Sequence, residues 1–274
     1  MTIEAKIVCD SVSPNGIRLT TMELCYPRFI HAEFMTHRMF SRNASSSRAI
    51  PVKKVINEVM TNPAMLIHWG KNQAGMVARE ECNNPVGLDW DYYNHYERIH
   101  KQIVNRLLEP FQHIKVIVTA TEWENFFKLH IHKDAQPEMC LLATHMAEAL
   151  DDSIPKKLTP GQWHLPYVPK SESIRLHTQG EDALQVAIKC SVARGARVSY
   201  MNHDNSSPDI DKDISLADVL LSNGHMSPFE HQATPMRPES FNVHAEDGIT
   251  HIDKYDNLWS GNFRGFLQYR QLLG

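Results

Sequence analysis

The chain has 274 residues, of which 42% are hydrophobic and 22% charged, and its formal net charge is −4. That composition excludes intrinsic disorder as the main state, and the mild acidity argues against a general nucleic-acid binder, which carries a basic field. No apolar run approaches the roughly 20 residues of a bilayer span, and the five scattered cysteines include no CxxC pair, so the expectation is a cytoplasmic protein with reduced thiols, no signal peptide, and no membrane or nucleic-acid partner.

In chain order, Lys6–Cys9 and Ile17–Cys25 read as strands joined by the turn Ser13-Pro14-Asn15-Gly16. Pro27 can open a helix through about Arg38, with Phe29, Glu33 and His37 spaced by four; Ser41–Ser47 is polar and reads as a loop. The clearest helix is Asp89–Leu108, with Tyr92, Tyr96, Ile99, Ile103 and Leu107 on one stripe and Pro110 beyond its end. Ile114–Val118 reads as a buried strand, and Ala135–Leu150 as a helix capped by Asp134. Ser153–Ser173 reads as an irregular connection. Helices follow at Asp182–Ala193 and from Ser215 to the αL stop Asn223-Gly224, the latter opened by a capping-box-like Ser215–Asp218 pattern. Strands and helices mix without a βαβ rhythm, which predicts an α+β fold in a single unit, 1–274.

Four segments carry chemistry. Thr36 to Arg48 feeds a helix into a loop with three arginines and a run of hydroxyl side chains. Guanidinium forks, hydroxyls and loop N–H groups suit phosphate, although a solvated polar loop fits the same composition. Asn223 to His231 holds His225, Glu230 and His231; these are possible metal ligands, but HExxH spacing is missing, and a capped helix end with a His–Glu pair is the simpler reading. Thr119 to His132 is aromatic, with Asn125, His130 and His132 as polar exceptions that could be site residues or buried hydrogen-bonded side chains. Asn105-Arg106 lies one residue off an apolar stripe, lining a cleft or facing solvent.

At these residues the chain resembles the flavin-dependent thymidylate synthase family, whose signature is R-H-R-x-x-S-x-N-E-x-S-x-R-Y. His37, Arg38, Ser41, Asn43, Ser46 and Arg48 match, while Thr36, Ala44 and Ala49 stand where the family has arginine, glutamate and tyrosine. Ala196-Arg197-Val198-Ser199 is similar to the A-R-V-S block, Gly224–His231 to the G-H-x-[ST]-P-F-E-H block, and Asn125-Phe126-Phe127 with Asp134-Ala135-Gln136 and Glu138 to the N-F-x…A-Q-x-E segment. In most of the family the A-R-V-S and S-P-F-E-H blocks precede the arginine-rich signature. Here they follow it, so the resemblance implies a circularly permuted version of that fold, a mixed or antiparallel sheet with packed helices.

The resemblance implies a methyltransferase that converts dUMP to dTMP. Methylenetetrahydrofolate would be the carbon donor, reduced FAD the hydride donor and NADPH the reductant, in a homotetramer that binds folate and a pyrimidine nucleoside monophosphate. Carried over by residue, His37, Arg38, Ser41, Asn43, Asn125, Ser199, His225, Ser227 and Glu230 would contact the flavin cofactor. Ser46, Ser47, Arg48 and Arg106 would hold the nucleotide. His130 falls where the family places an arginine against the pyrimidine, so Arg48 and His130 are the candidate catalytic pair, and no metal is expected. Arg42 is a candidate to replace the charge missing at Thr36. A neutral histidine donates one hydrogen bond where arginine donates a fork. That substitution and Ala44 open three alternatives: dCMP or UMP as substrate, a hydroxymethyl product, or a nucleotide-binding homologue without catalysis.

Overall fold

Gly16 takes φ +78°, open to glycine without strain, and turns β1 (Glu4–Val12) back antiparallel onto β2 (Arg18–Pro27). Ser41–Ala44 forms β3, His113–Ala120 forms β4 and Lys156–Lys157 forms β5, giving one sheet in the order β3-β4-β2-β1-β5. The sheet is mixed, because β5 runs parallel to β1 while the other pairs are antiparallel. The computed structural model describes residues 2–47, 50–68, 108–169, 183–199, 201 and 206–273, and over them the chain is α+β.

Register divides the sheet into two unlike faces, since side chains alternate along a strand. Met22, Leu24 and Tyr26 pair with Val118, Val116 and Ile114, and all six are buried on one apolar face. Three helices contribute its cover: α1 (His31–Phe34) gives Phe34, and, beyond α2 (Val52–Thr61), α3 (Glu124–His130) and α4 (Pro137–Asp151) give Phe126, Met139, Leu142 and Met146. α2 has its own cluster, Val55 and Val59 against Leu108. The other face pairs Thr21 with Thr119 and Glu23 with Ile117. It meets the 164–167 segment and the end of α5 (Ala183–Arg197), where Tyr167 and Val198 pack on Ile117. α5 packs in turn on α6 (Ile210–Ser222) through Ile188, Val192 and Ala217, joined by Phe229. Short strands β6 (Ala233–Pro235), β7 (His251–Ile252), β8 (Leu258–Ser260), β9 (Phe263–Arg264) and β10 (Phe266–Gln268) complete the C-terminal part.

Several boundaries differ from the sequence expectations for identifiable reasons. The helix expected over Pro27–Arg38 shrinks to α1, because β2 runs on to Pro27 opposite His113 and Arg42 Nη1 donates to the carbonyls of Phe34 and Met35 at the helix end. Ser41–Ser47 is not wholly loop: β3 pairs through backbone groups, which a polar sequence does not reveal. α4 starts at Pro137 after Gln136 rather than at an Asp134 cap. α6 starts at Ile210, capped by Asp209 accepting from the N–H groups of Asp211 and Lys212, so Ser215–Asp218 lies inside the helix. α5 continues past Ala193 to Arg197. The helix expected over Asp89–Leu108 lies outside the described residues except for Leu108. Gly224, at φ +71°, stops α6 as expected.

Candidate active site

His37 and His130, 93 positions apart, meet with their Nε2 atoms 2.7 Å from each other. α3 carries His130 as its last residue, and its Phe126 stacks within 4.9 Å of both rings, edge-on to His37 and tilted to His130. His130 is buried, and Glu33 Oε1 of α1 lies 3.5 Å from its Nδ1. Burial lowers the basicity of both imidazoles. His37, facing His130 and Arg42 as well, is held at about 4, while Glu33 pulls His130 back upward. Two predicted site residues, one from the flavin side and one from the pyrimidine side, therefore form one unit.

A second group gathers on the opposite face of β3. Ser41 and Asn43 stand opposite Thr119 and Ile117, whereas Arg42 between them turns to the apolar face. Gln268 Nε2 donates to Ser41 Oγ at 3.1 Å and to the Glu230 carbonyl at 3.1 Å, and Asn262 lies within hydrogen-bond reach of both Ser41 and Gln268. Arg270 ion-pairs with the Glu230 carboxylate. Ser199 follows Val198, a buried residue at φ +52° that closes α5. Val198 N–H donates to Gly195 O and Ser199 N–H to Arg194 O. A β-branched residue in this conformation costs roughly 1–2 kcal/mol, and it fixes the direction in which Ser199 leaves the helix. Asn43 Oδ1 is buried with no hydrogen-bond partner among the described residues.

The remaining predicted residues sit variously. Arg38, Ser46, Asn125, His225 and Ser227 are exposed. Ser47 is buried and donates to Glu109 Oε1 at 2.8 Å, the same oxygen that takes Arg28 Nη2 at 3.0 Å. Arg48 and Arg106 lie outside the described residues. Glu230 and His231 do not pair with each other: His231 Nδ1 is 2.8 Å from Thr119 Oγ1. Among the described residues no group of three or more His, Cys, Asp or Glu side chains is placed to hold a metal ion, and no helix is long and apolar enough to cross a membrane.

Sequence reasoning missed Glu33, Glu109, Asn262, Gln268 and Arg270 as neighbours of the site. The spacing of Glu33 four residues before His37 was the one available signal. Glu109, Asn262, Gln268 and Arg270 carry no motif, and only the fold delivers them. Residues 18–156, running from β2 through β5, match the family model described as thymidylate synthase complementing protein. No curated protein matches the chain.

Proposed function

The chain belongs to the thymidylate synthase complementing protein family, flavin-dependent makers of thymidylate, and from that premise we propose that it methylates C5 of a pyrimidine deoxynucleotide, dUMP to dTMP, with methylenetetrahydrofolate as carbon donor. The contact between His37 and His130 carries the reading, because it joins the arginine-rich segment to the N-F-F segment inside the matched span.

The residues present fit a flavin dinucleotide. Asn43 Oδ1 offers a buried acceptor to an N–H donor such as that of an isoalloxazine ring. Arg38 is exposed beside His37, and among the described residues no carboxylate neutralises it, so its guanidinium is available to a diphosphate. When bound, reduced FAD supplies the hydride that completes the methyl group, and NADPH regenerates it. Ser46 and Arg48 hold the nucleotide phosphate, with Arg106 as a further cation; Ser47, whose hydroxyl is given to Glu109, fixes that loop, and the His37–His130 pair faces the base. The chain's own task is to bind, to orient and to exclude water.

The order of motifs supports a circular permutation. The end of the S-P-F-E-H block lies beside the start of β2: Ala233 packs on Leu19, and His231 reaches Thr119, whose hydroxyl touches Thr21. A family member in the usual order would run directly from one to the other, and the family match likewise starts at residue 18. The two groups of site residues flank β3, an edge strand among the described residues. Neighbouring copies in a homotetramer would complete a site open at that edge.

A second reading rests on His130 and Ala44. With a neutral histidine in place of an arginine fork and no carboxylate at position 44, the base is read differently than in the family, and dCMP, UMP or a hydroxymethyl product becomes the alternative outcome. Anaerobic incubation of the reduced full-length protein with methylenetetrahydrofolate and each of dUMP, dCMP and UMP, followed by mass measurement of the nucleotide, decides. A methyl gain on dUMP is expected, and a gain on another nucleotide selects the second reading. If no nucleotide changes and the protein takes up no FAD, a catalytic role is wrong.

A further inference from the structure

Two neutral imidazoles whose Nε2 atoms lie 2.7 Å apart hold one proton between them, since two N–H groups would collide and two lone pairs would repel. Glu33, 3.5 Å from His130 Nδ1, is too distant for a good hydrogen bond but close enough to favour a proton on that nitrogen. His130 then accepts at Nε2, His37 donates from Nε2, and His37 Nδ1 is left with a lone pair. That nitrogen has no partner among the described residues. The arrangement has a direction, from a carboxylate through one ring to a basic nitrogen at the end of the second.

We propose that Glu33, His130 and His37 form a proton relay with His37 Nδ1 as its open end, and that it takes up the proton leaving C5 of the pyrimidine when the one-carbon unit is added. The proposal rests on the thymidylate-synthesis reading. In the step, the C5–H bond breaks, its electron pair returns to the pyrimidine ring, and the proton bonds to His37 Nδ1. The Nε2 proton of His37 passes to His130 Nε2, so the positive charge comes to rest on His130 beside Glu33. His37 is the catalytic base, and His130 and Glu33 are positioning residues.

The surroundings agree. Of the charged groups facing the rings, Glu33 favours the protonated pair, and Arg42 from β3 opposes charge on His37. Phe40 packs on His37 and Phe126 on both rings, and neither brings a charge. At neutral pH the pair is uncharged and ready to accept.

Two measurements on the full-length protein test this. Nitrogen NMR of histidine-labelled protein should show His130 protonated at Nδ1 at neutral pH, with the two rings sharing a single proton uptake on acidification. Glu33→Gln should move that midpoint to lower pH, and Glu33→Asp should restore it in part. Two independent uptakes, or a midpoint indifferent to Glu33, overturn the relay. With FAD, reductant, methylenetetrahydrofolate and dUMP tritiated at C5, His37→Asn should cut tritium release by roughly a hundredfold or more, the usual scale of general-base catalysis. Glu33→Gln should lower kcat while KM for the nucleotide stays near the wild-type value. Unchanged release from His37→Asn removes the relay alone. A wild-type protein that binds no FAD and releases no tritium removes the parent reading with it.

Discussion

His231 Nδ1 lies 2.8 Å from Thr119 Oγ1 in the fully buried interior, and the contact continues through Thr21 to His164 and Ser11. Burial depresses both histidines to about 3, below the roughly 6.5 of an unfolded chain. The unfolded chain therefore binds these protons first. Stability is fully present above about pH 6.5 and falls as pH drops toward 3, by about 1.4 kcal/mol per pH unit for each histidine. Between pH 7.5 and 5 the pair should account for a loss of about 4 kcal/mol. In urea unfolding at the two pH values, His231→Gln should lose about 2 kcal/mol less over that interval than the wild type, whatever its stability at pH 7.5. Equal losses would mean that His231 is not held neutral.

Asp213 binds two arginines out of water. Its Oδ2 accepts from Arg194 Nε at 2.8 Å and its Oδ1 from Arg197 Nη2 at 2.6 Å, and neither Asp213 nor Arg194 has any exposed side chain. Asp213→Asn removes the buried carboxylate that Arg194 and Arg197 share between α5 and α6, and breaking a buried pair from one side typically costs about 3–5 kcal/mol. The melting temperature should fall by at least about 6 °C, and calorimetry reads it. A smaller fall would mean that the cluster relaxes toward solvent. Ser199 belongs to the same helix end, so if Ser199 contacts the flavin, its affinity should weaken in the same variant.

What was legible in the sequence follows from which interactions are local. Gly16 and Gly224 announce their turns because their backbone angles need glycine. The apolar alternation of Ile114, Val116 and Val118 announces a face of β4. β3 was invisible because Ser41-Arg42-Asn43-Ala44 pairs through its backbone and sits at an edge. α6 was misplaced because Ser215-x-x-Asp218 imitates a capping box, while the Asp209 cap that starts the helix one turn and more earlier carries no such pattern. The His37–His130 contact lay beyond sequence spacing altogether: it depends on α3 folding across the apolar face of the sheet. Glu33 reaches His130 for the same reason.

Gln268 ties the C-terminal strands to the predicted cofactor residues, donating to Ser41 Oγ, to the Glu230 carbonyl and, at 2.9 Å, to Asn262 Oδ1. Gln268→Ala removes the donor that joins these acceptors, leaving Ser41 and Asn262 to each other, at a cost of about 1–3 kcal/mol. If Ser41 and Glu230 contact the flavin, the variant should bind FAD about tenfold more weakly, which corresponds to about 1.4 kcal/mol. Fluorescence quenching on FAD titration measures this. An unchanged dissociation constant would remove Ser41 and Glu230 from the cofactor site and leave them a structural role.

Arg28 and Arg48 should respond differently to substitution if Ser46 and Arg48 hold the nucleotide. Arg28 is already paired, its Nη2 3.0 Å from Glu109 Oε1, and that same oxygen holds Ser47. Its charge is neutralised locally, so little of it reaches a phosphate. Arg48 follows Ser47 in the segment that matches the family signature. A charged hydrogen bond is worth about 1.5–3 kcal/mol, so Arg48→Ala should raise the nucleotide dissociation constant by roughly tenfold or more. Arg28→Ala should raise it less than Arg48→Ala does, because it removes no direct contact with the phosphate and acts only through the Glu109 carboxylate it leaves unpaired, in a partly exposed and screened position. Isothermal titration of both variants with dUMP, dCMP and UMP gives the comparison. If Arg28→Ala were the more damaging, the phosphate would sit on the Glu109 side of Ser47, and the assignment of Arg48 would be withdrawn.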